Sequence, residues 1–258
     1  MIALIPMAGA GSRFAEAGYS VPKPLLPILG KPMVVSAAGA LPPSDEYIFI
    51  VRDYQIQDYQ IDTHLKKHFP NCKIVILDYL TEGQASTCLH ARNYINNEQE
   101  LVIGASDNGM IYSLRDFEAA KKDADALVFS FRNNPAVNEK PQAYGWINTS
   151  HDNMISNMSV KVPISSNPIH DHAVVGTFWF KEGKMFIEAA ERMIQRNRRI
   201  NNEFYVDECI NDLIELGYNV KVFEIDHYVC WGTPNDYLTF NYWEAYYKKM
   251  KTKIELVL

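Results

Sequence analysis

The chain has 258 residues, 47% of them apolar and 22% charged, with a formal net charge of -6. That length and apolar content support one sizeable core. The acidic balance supplies no basic field to gather nucleic acid or an anionic membrane surface, so neither is expected as a partner, and a small anionic substrate must be held by a few placed cations.

In chain order, the apolar run at 2–6 reads as a buried strand that feeds directly into the glycine-rich stretch at 7–14, MAGAGSRF. Helical spacing at 32–41, 55–68 and 84–94 then alternates with strand-like runs at 47–51, 73–77 and 101–104. This is the rhythm of a parallel sheet with helices on both faces. Beyond residue 107 the pattern turns to strand candidates at 126–131, 143–148, 154–161 and 173–180, predicting a mixed β extension of the first sheet. Helices at 184–195, 205–216 and 235–249, with a strand at 220–225, complete the chain. Residues 133–142, with two prolines and little apolar character, read as a surface loop and candidate lid. No repeat, low-complexity tract or linker divides the sequence, so a single domain over 1–258 is predicted.

Four cysteines, Cys72, Cys88, Cys209 and Cys230, lack CxxC spacing and read as buried free thiols in a reducing compartment. The N-terminus has no basic region ahead of its apolar residues, and no apolar run approaches the roughly 20 residues of a membrane span. A cytoplasmic location is the expectation. His170 and His172 form an isolated His-x-His without a third ligand and read as structural. Trp243, Tyr246 and Tyr247 read as the packing stripe of the last helix, a surface that also suits a homodimer face.

The stretch Met7-Ala8-Gly9-Ala10-Gly11-Ser12-Arg13-Phe14, followed by Pro22-Lys23-Pro24, carries the most chemistry. Glycines at 9 and 11 let backbone N–H groups approach an anion closely. Arg13 offers a permanently charged fork for phosphate oxygens, and Lys23, stiffened by two prolines, a compact second cation. A bare GxG also serves simple turns. Phe14 stands where a dinucleotide-binding GxGxxG needs a small residue, and the GK[ST] of a P-loop is absent, so both motifs are rejected.

With GxGSR and PKP in this order, followed by GKPM at 30–33 and EGQAST at 82–87, the chain resembles the NTP transferase family, which makes sugar nucleotides and related activated head groups. The resemblance implies an α/β, Rossmann-like (GT-A-like) three-layer fold with a mainly parallel central sheet and a mixed β extension. Residues 1–125 would form the nucleotide-binding half and 126–258 the acceptor-binding half. It implies an enzyme that transfers NMP from an NTP to a sugar phosphate or similar small phosphorylated acceptor, releasing pyrophosphate, with Mg2+ as cofactor and a role in surface polysaccharide or capsule synthesis.

Carried onto this sequence, the resemblance makes Arg13, Lys23 and Lys161 the catalytic cations. The nucleotide would be bound by Ala8, Gly9, Ala10, Gly11, Ser12, Arg13 and Lys23, by Glu82, Gly83, Gln84 and Ala85 at the base, and by Ser106 and Asp107. Gln84 carries both a donor and an acceptor for a base edge, although 82–85 also fits the first turn of a helix. Asp107, after an apolar strand, is the expected metal carboxylate, with an Asp-Asn-Gly turn as the plainer reading. The family's second metal aspartate is Cys230 here, a poor ligand for a hard cation.

The acceptor would meet Asn108, Tyr144, Gly145, Lys161, Thr177, Glu203, Tyr205 and Asp207. Lys161 lies where the family has the lysine of an EKP motif, whereas the preceding glutamate, which holds sugar hydroxyls in hexose-specific relatives, is Val160. Acidic residues at 203 and 207 favour an acceptor with hydroxyl or amine groups, although first-turn acids are common on helix-dipole grounds alone. These departures keep a second reading close: CTP-dependent cytidylyl transfer to a phosphorylated non-sugar such as phosphocholine or phosphoglutamine, and they tilt the base slightly toward CTP. A GT-A glycosyltransferase remains a third reading, weakened because Asp107-Asn108-Gly109 is not a DxD. A non-catalytic regulatory homologue is disfavoured by the retention of Arg13, Lys23, Asp107 and Lys161.

Overall fold

The computed structural model describes residues 1–255. The chain enters on β1 (Ile2–Pro6) and passes through α1 (Ser12–Glu16), a small hairpin of β2 (Pro27–Ile28) and β3 (Lys31–Pro32), and α2 (Met33–Gly39). It continues through β4 (Glu46–Arg52), α3 (Asp53–Gln57), α4 (Ile61–His68), β5 (Lys73–Leu77), α5 (Gln84–Leu89), α6 (Arg92–Ile95) and β6 (Leu101–Ile103). The second half contributes β7 (Asn108–Ile111), α7 (Leu114–Ala120), β8 (Ala126–Phe131), α8 (Ala136–Glu139), β9 (Gly145–Thr149), β10 (Ile155–Val160) and β11 (His172–Phe180). Then follow α9 (Gly183–Gln195), α10 (Val206–Glu215), β12 (Val220–Glu224), β13 (His227–Cys230) and α11 (Pro234–Glu255).

The central sheet runs β10-β9-β11-β6-β1-β4-β5, with β8 paired to β11 and β12. Strands β6, β1, β4 and β5 are parallel, as the alternation of runs and helices predicts. β11 joins this block antiparallel to β6, and β9 and β10 extend it antiparallel, which is the expected mixed extension. Side-chain alternation divides the core. Ile2, Leu4, Ile48 and Ile50 face a layer of α5, α9 and α10, while Ala3, Ile5, Phe49 and Val51 face α2, α4 and α7. Burial on both faces explains why these strands read as continuous apolar runs rather than alternating ones.

Several expected boundaries shift for local reasons. The helix expected at 55–68 is two helices, because Gln60 adopts a left-handed φ of 50° between α3 and α4. The helix expected at 84–94 breaks at His90 and Ala91, whose amides bond back three residues to Thr87 and Cys88 and tighten the turn. The plainer reading of Asp107-Asn108-Gly109 as a turn does not hold, because Asn108 and Gly109 open β7, paired antiparallel with β13 from Cys230↔Asn108 to His227↔Ile111. Residues 133–142 contain the single turn α8.

All four cysteines are free, but only Cys88 and Cys209 are buried; Cys72 and Cys230 are half-buried. The packing stripe expected on the last helix holds only at its start. Tyr237 is buried and Phe240 meets Trp231, whereas Tyr242, Trp243, Tyr246 and Tyr247 are exposed. No helix among the described residues is long and apolar enough to cross a membrane.

Candidate active site

The parallel strands β1 and β6 end side by side, so the loops leaving their carboxyl ends share one edge of the sheet. Open α/β sheets bind ligands at such an edge. β1 ends at Pro6 and releases the glycine loop; Gly11 takes a left-handed φ of 62° and starts α1, and a Cβ at Gly9 or Gly11 would meet nothing within 4 Å. The loop face is therefore open to a bulky anion. Lys23 begins a one-turn 3₁₀ helix whose Leu25 amide bonds Pro22 O at 2.9 Å, with Pro24 buried beneath it. This rigid turn aims Lys23 across the loop, where Nζ forms an ion pair with Oδ2 of Asp107.

Asp107 lies in the segment that leaves β6, and the returning strand fixes it: the Trp231 amide donates to Asp107 O at 2.9 Å. Gly109 presses against the Trp231 ring so closely that a Cβ would stand 2.9 Å from it. Gly232 passes next to Asp107, its Cβ position 3.1 Å from Oδ2 and 3.3 Å from Cys230 Sγ. The carboxylate and the thiol therefore converge on one point.

A cavity of about 480 Å³ opens beside this point, and Arg13, Gln84, Asp107, Asn108, Tyr144, Gly145, Lys161, Tyr205 and Asp207 line it together. A second hollow of about 260 Å³ on the other side of the loop is lined by Gly9, Ala10, Gly11, Lys23 and Ser106. Of the expected contacts, Thr177 is fully buried and outside the wall, Ala8 is in the core, and Ser12 is exposed on α1. Glu203 is exposed and accepts a hydrogen bond from Tyr205 rather than facing the cavity.

The base segment also differs from expectation. Phe204 N donates to Glu82 O at 2.7 Å and Ala85 N donates to Phe204 O at 2.9 Å, while Gly83 O accepts from Thr87 N and the Thr81 and Thr87 hydroxyls. Those backbone groups are committed, leaving the Gln84 side chain as the member of this segment that lines the cavity. Glu82 pairs with Arg199 at 3.0 Å, and Arg199 stacks over the Phe204 ring at 4.1 Å.

The cavity walls are dry enough to shift the groups in them. Burial pushes the Asp207 carboxyl up, against the pull of Lys161. The same burial pulls the Lys161 ammonium down despite Asp207. Burial, then the hydrogen bond to Glu203, raises Tyr205. Burial, helped by Cys230 and Asp236, takes Tyr144 up to about 12, and the Cys230 thiol also rises to about 12 through burial and then Asp107 and Asp236. A low-dielectric pocket strengthens every charge interaction within it.

Several lining residues have no counterpart in the sequence reading: Glu139, Lys140, Tyr228, Asn235 and Asp236. Asp236 carries a local signal. Its Oδ2 accepts from Thr233 N at 3.1 Å and Thr233 Oγ1 at 2.6 Å, and its amide donates to Thr233 Oγ1 at 3.2 Å, the reciprocal pattern that a T-x-x-D before a helix announces. That carboxylate also accepts from Cys230 Sγ at 3.5 Å and is thus occupied.

No group of three His, Cys, Asp or Glu side chains that could hold a metal occurs among the described residues. Asp107 Oδ1 has no hydrogen bond among them. One carboxylate of this kind fits a magnesium ion whose remaining ligands are substrate phosphates and water. Cys230, whose Sγ donates to Asp236 Oδ2, offers a hard cation only a soft sulfur and does not fit as a ligand.

A family model described as Nucleotidyl transferase matches residues 2–245. Among curated proteins, the bifunctional protein GlmU of Methanococcus maripaludis is 27% identical over 179 residues, 66% of this chain and 38% of that protein, so the chain spans well under half the length of this relative. Among solved structures, the nucleoside-diphosphate-sugar pyrophosphorylase of Vibrio cholerae superposes with a TM-score of 0.76 at 21% identity, over 93% of this chain and 99% of its own. The inositol-1-phosphate CTP transferase of T. maritima superposes with a TM-score of 0.68 at 14% identity, over 91% and 90%. At these identities the two structures share the fold with this chain.

Proposed function

The chain belongs to the nucleotidyl transferase family, and on that premise we propose that it is a nucleotidyltransferase whose cavity joins the nucleoside monophosphate of an NTP to a small phosphorylated acceptor and releases pyrophosphate. The observation that carries this reading is the convergence of Arg13, the Lys23–Asp107 pair and Lys161 around one edge of the sheet. An acceptor phosphate is already anionic near neutral pH, so its oxygen can attack the α-phosphorus without a general base. The bond from that phosphorus to the bridging oxygen breaks, and the electron pair leaves on pyrophosphate. What the protein must supply is alignment and charge neutralisation.

Arg13 and the open glycine loop would hold the leaving phosphates, and Lys23 would neutralise charge at the α-phosphate once it leaves its pairing with Asp107. Lys161, whose Nζ donates to Ala143 O beside the cavity, would exchange that carbonyl for the incoming acceptor phosphate. Gln84 would read a base edge. A magnesium ion, when bound, supplies Lewis-acid stabilisation of the phosphates, and Asp107 is the residue that would hold it.

A second reading within the class, cytidylyl transfer to a phosphorylated non-sugar in surface-polysaccharide synthesis, is favoured by Val160. It is buried in β10 and offers nothing to a sugar hydroxyl where hexose-specific relatives carry a glutamate. The exposed aromatic face of α11 suits a homodimer. Pyrophosphate release from each of the four NTPs against hexose 1-phosphates, phosphocholine, ethanolamine phosphate and phosphoglutamine tests the assignment. Release with CTP and a non-sugar selects the second reading, and no release with any pair refutes nucleotidyl transfer.

A further inference from the structure

We propose that Asp207 selects the acceptor, requiring a phosphomonoester that carries an N–H or O–H group to donate to its carboxylate; this rests on the nucleotidyl-transfer reading above. Asp207 stands in the first turn of α10 and is nine-tenths buried, yet it lines the 480 Å³ cavity. No ion pair and no side-chain donor reaches its carboxylate among the described residues; its own backbone amide is the group that bonds it. Lys161 exerts an opposite-charge influence on it, but the Lys161 Nζ donates to Ala143 O, lies 5.4 Å from the centre of the Tyr205 ring and makes no ion pair with Asp207. A buried carboxylate left in this state lacks the hydrogen bonds that water would give it, and burial accordingly raises its proton affinity.

The surroundings are shaped around this group. Asp207 Oδ2 lies against Gly145, where any Cβ would overlap it and would stand 3.1 Å from the Val174 side chain. Glycine at 145 is therefore what leaves the carboxylate exposed to the cavity. Glu203, the other acidic candidate on this segment, is exposed and engaged by the Tyr205 hydroxyl, so of the two Asp207 is the one that presents its carboxylate to the cavity. Tyr144 and Tyr205 flank it in the same cavity.

With Lys161 and Arg13 lining the same cavity, an acceptor phosphate and a donor on the same small molecule can be held together. A site built to receive a hydrogen bond discriminates strongly against an analogue that lacks the donor, because binding the analogue leaves the buried group unpaired. A hydroxyl and a primary ammonium both satisfy the carboxylate. A quaternary ammonium brings charge but no hydrogen bond, and a plain alkyl chain brings neither.

The test measures pyrophosphate release from the wild-type protein, with each NTP, using glucose 1-phosphate, ethanolamine phosphate, phosphocholine and n-propyl phosphate, and repeats it with Asp207→Asn. The expected result is a kcat/KM for glucose 1-phosphate or ethanolamine phosphate at least about tenfold above that for phosphocholine and propyl phosphate. Which of the two is preferred separates hydroxyl from ammonium. Asp207→Asn, which keeps an acceptor oxygen but loses the charge, should narrow that margin through the acceptor KM, most for ethanolamine phosphate, while the NTP KM stays unchanged. Phosphocholine or propyl phosphate turning over as well as the donor-bearing acceptors overturns the proposal and leaves nucleotidyl transfer standing, as does an unchanged margin in Asp207→Asn. No release with any pair overturns nucleotidyl transfer, and this proposal with it. If Asp207→Asn fails to fold, the wild-type ranking decides.

Discussion

Lys23 and Asp107, 84 residues apart, form an ion pair that bridges the glycine loop and the segment leaving β6. Each is a residue that substrate would claim: Lys23 by the phosphates, Asp107 by a divalent cation. The pair holds both side chains in place, and on the proposed reading substrate would exchange one set of charges for another.

Lys23→Ala should lower turnover by on the order of 10³-fold, since one preorganised charge at the reacting centre is worth that much. Its melting temperature should barely move, because the pair is partly exposed, with side-chain exposures of 19% and 28%, and exposed pairs stabilise little. Steady-state pyrophosphate release and a thermal melt on the same preparation check both halves. Turnover close to the wild-type value would remove Lys23 from the mechanism.

Gly83→Ala should damage fold and function together. Gly83 has φ of 123°, and a Cβ there would stand 2.5 Å from Phe204 N and 2.6 Å from Phe204 O. The backbone of Phe204 must move away, and with it the bonds to Glu82 and Ala85. A loss of about 1–3 kcal/mol in urea unfolding is expected, with KM rising for both NTP and acceptor because Tyr205 and Asp207 follow immediately in the chain. An increase confined to the NTP would show that the 82–85 segment and the start of α10 are uncoupled.

Asp207 gives a pH signature in stability. Its carboxyl is raised by burial, so the native state holds the proton more tightly than the unfolded chain does. The resulting penalty is absent below the unfolded value of about 3.9, grows as pH rises through the folded value, and is constant above it. Asp207→Asn should therefore melt about 2–4 °C higher than the wild type at neutral pH, with the gain shrinking as the pH is lowered toward about 4. A difference that does not vary with pH would mean that the carboxyl does not titrate abnormally in the folded protein.

Cys230 should behave as an inert thiol. Burial and the neighbouring Asp107 and Asp236 carboxylates raise it to about 12, so almost none is thiolate at pH 8. Iodoacetamide should label it slowly, and Cys230→Ser should keep both turnover and its response to magnesium. Rapid labelling at Cys230 would mean that the thiol ionises near neutral pH in the folded protein, and lost turnover in the serine variant would give the sulfur a role in the site.

What could be read from the sequence depended on how local the signal was. The glycine loop, Arg13 and Lys23 lie within 15 residues of one another, a range short enough for the sequence to suggest them together as a candidate anion site. The parallel strands were equally legible, since burial on both faces leaves unbroken apolar runs at 2–6 and 47–51. Thr177 was misplaced because one register step along β11 decides between cavity and core: Gly176 lines the cavity and Thr177 is sealed behind it. Tyr228 was missed because the β7–β13 ribbon joins positions more than a hundred residues apart, and pairings of that range leave no local pattern. On α11, a terminal helix with exposed aromatics and one with buried aromatics share the same composition, so the exposure of Tyr242, Trp243, Tyr246 and Tyr247 left no mark in the sequence.

The hydrophobic floor beneath the glycine loop is assembled from both ends of the chain. Phe14, Leu26, Ile28, Met33 and Ala37 pack with Trp231 and Tyr237, and Phe14 meets the Tyr237 ring edge-on at 6.2 Å. Anyone building chimeras to test the proposed nucleotide site cannot cut this chain midway and graft the first half alone. Such a graft would leave behind the residues that prop up its phosphate loop, so the donor segment must include 227–240 along with the N-terminal portion, or the recipient must already offer a matching tryptophan and tyrosine.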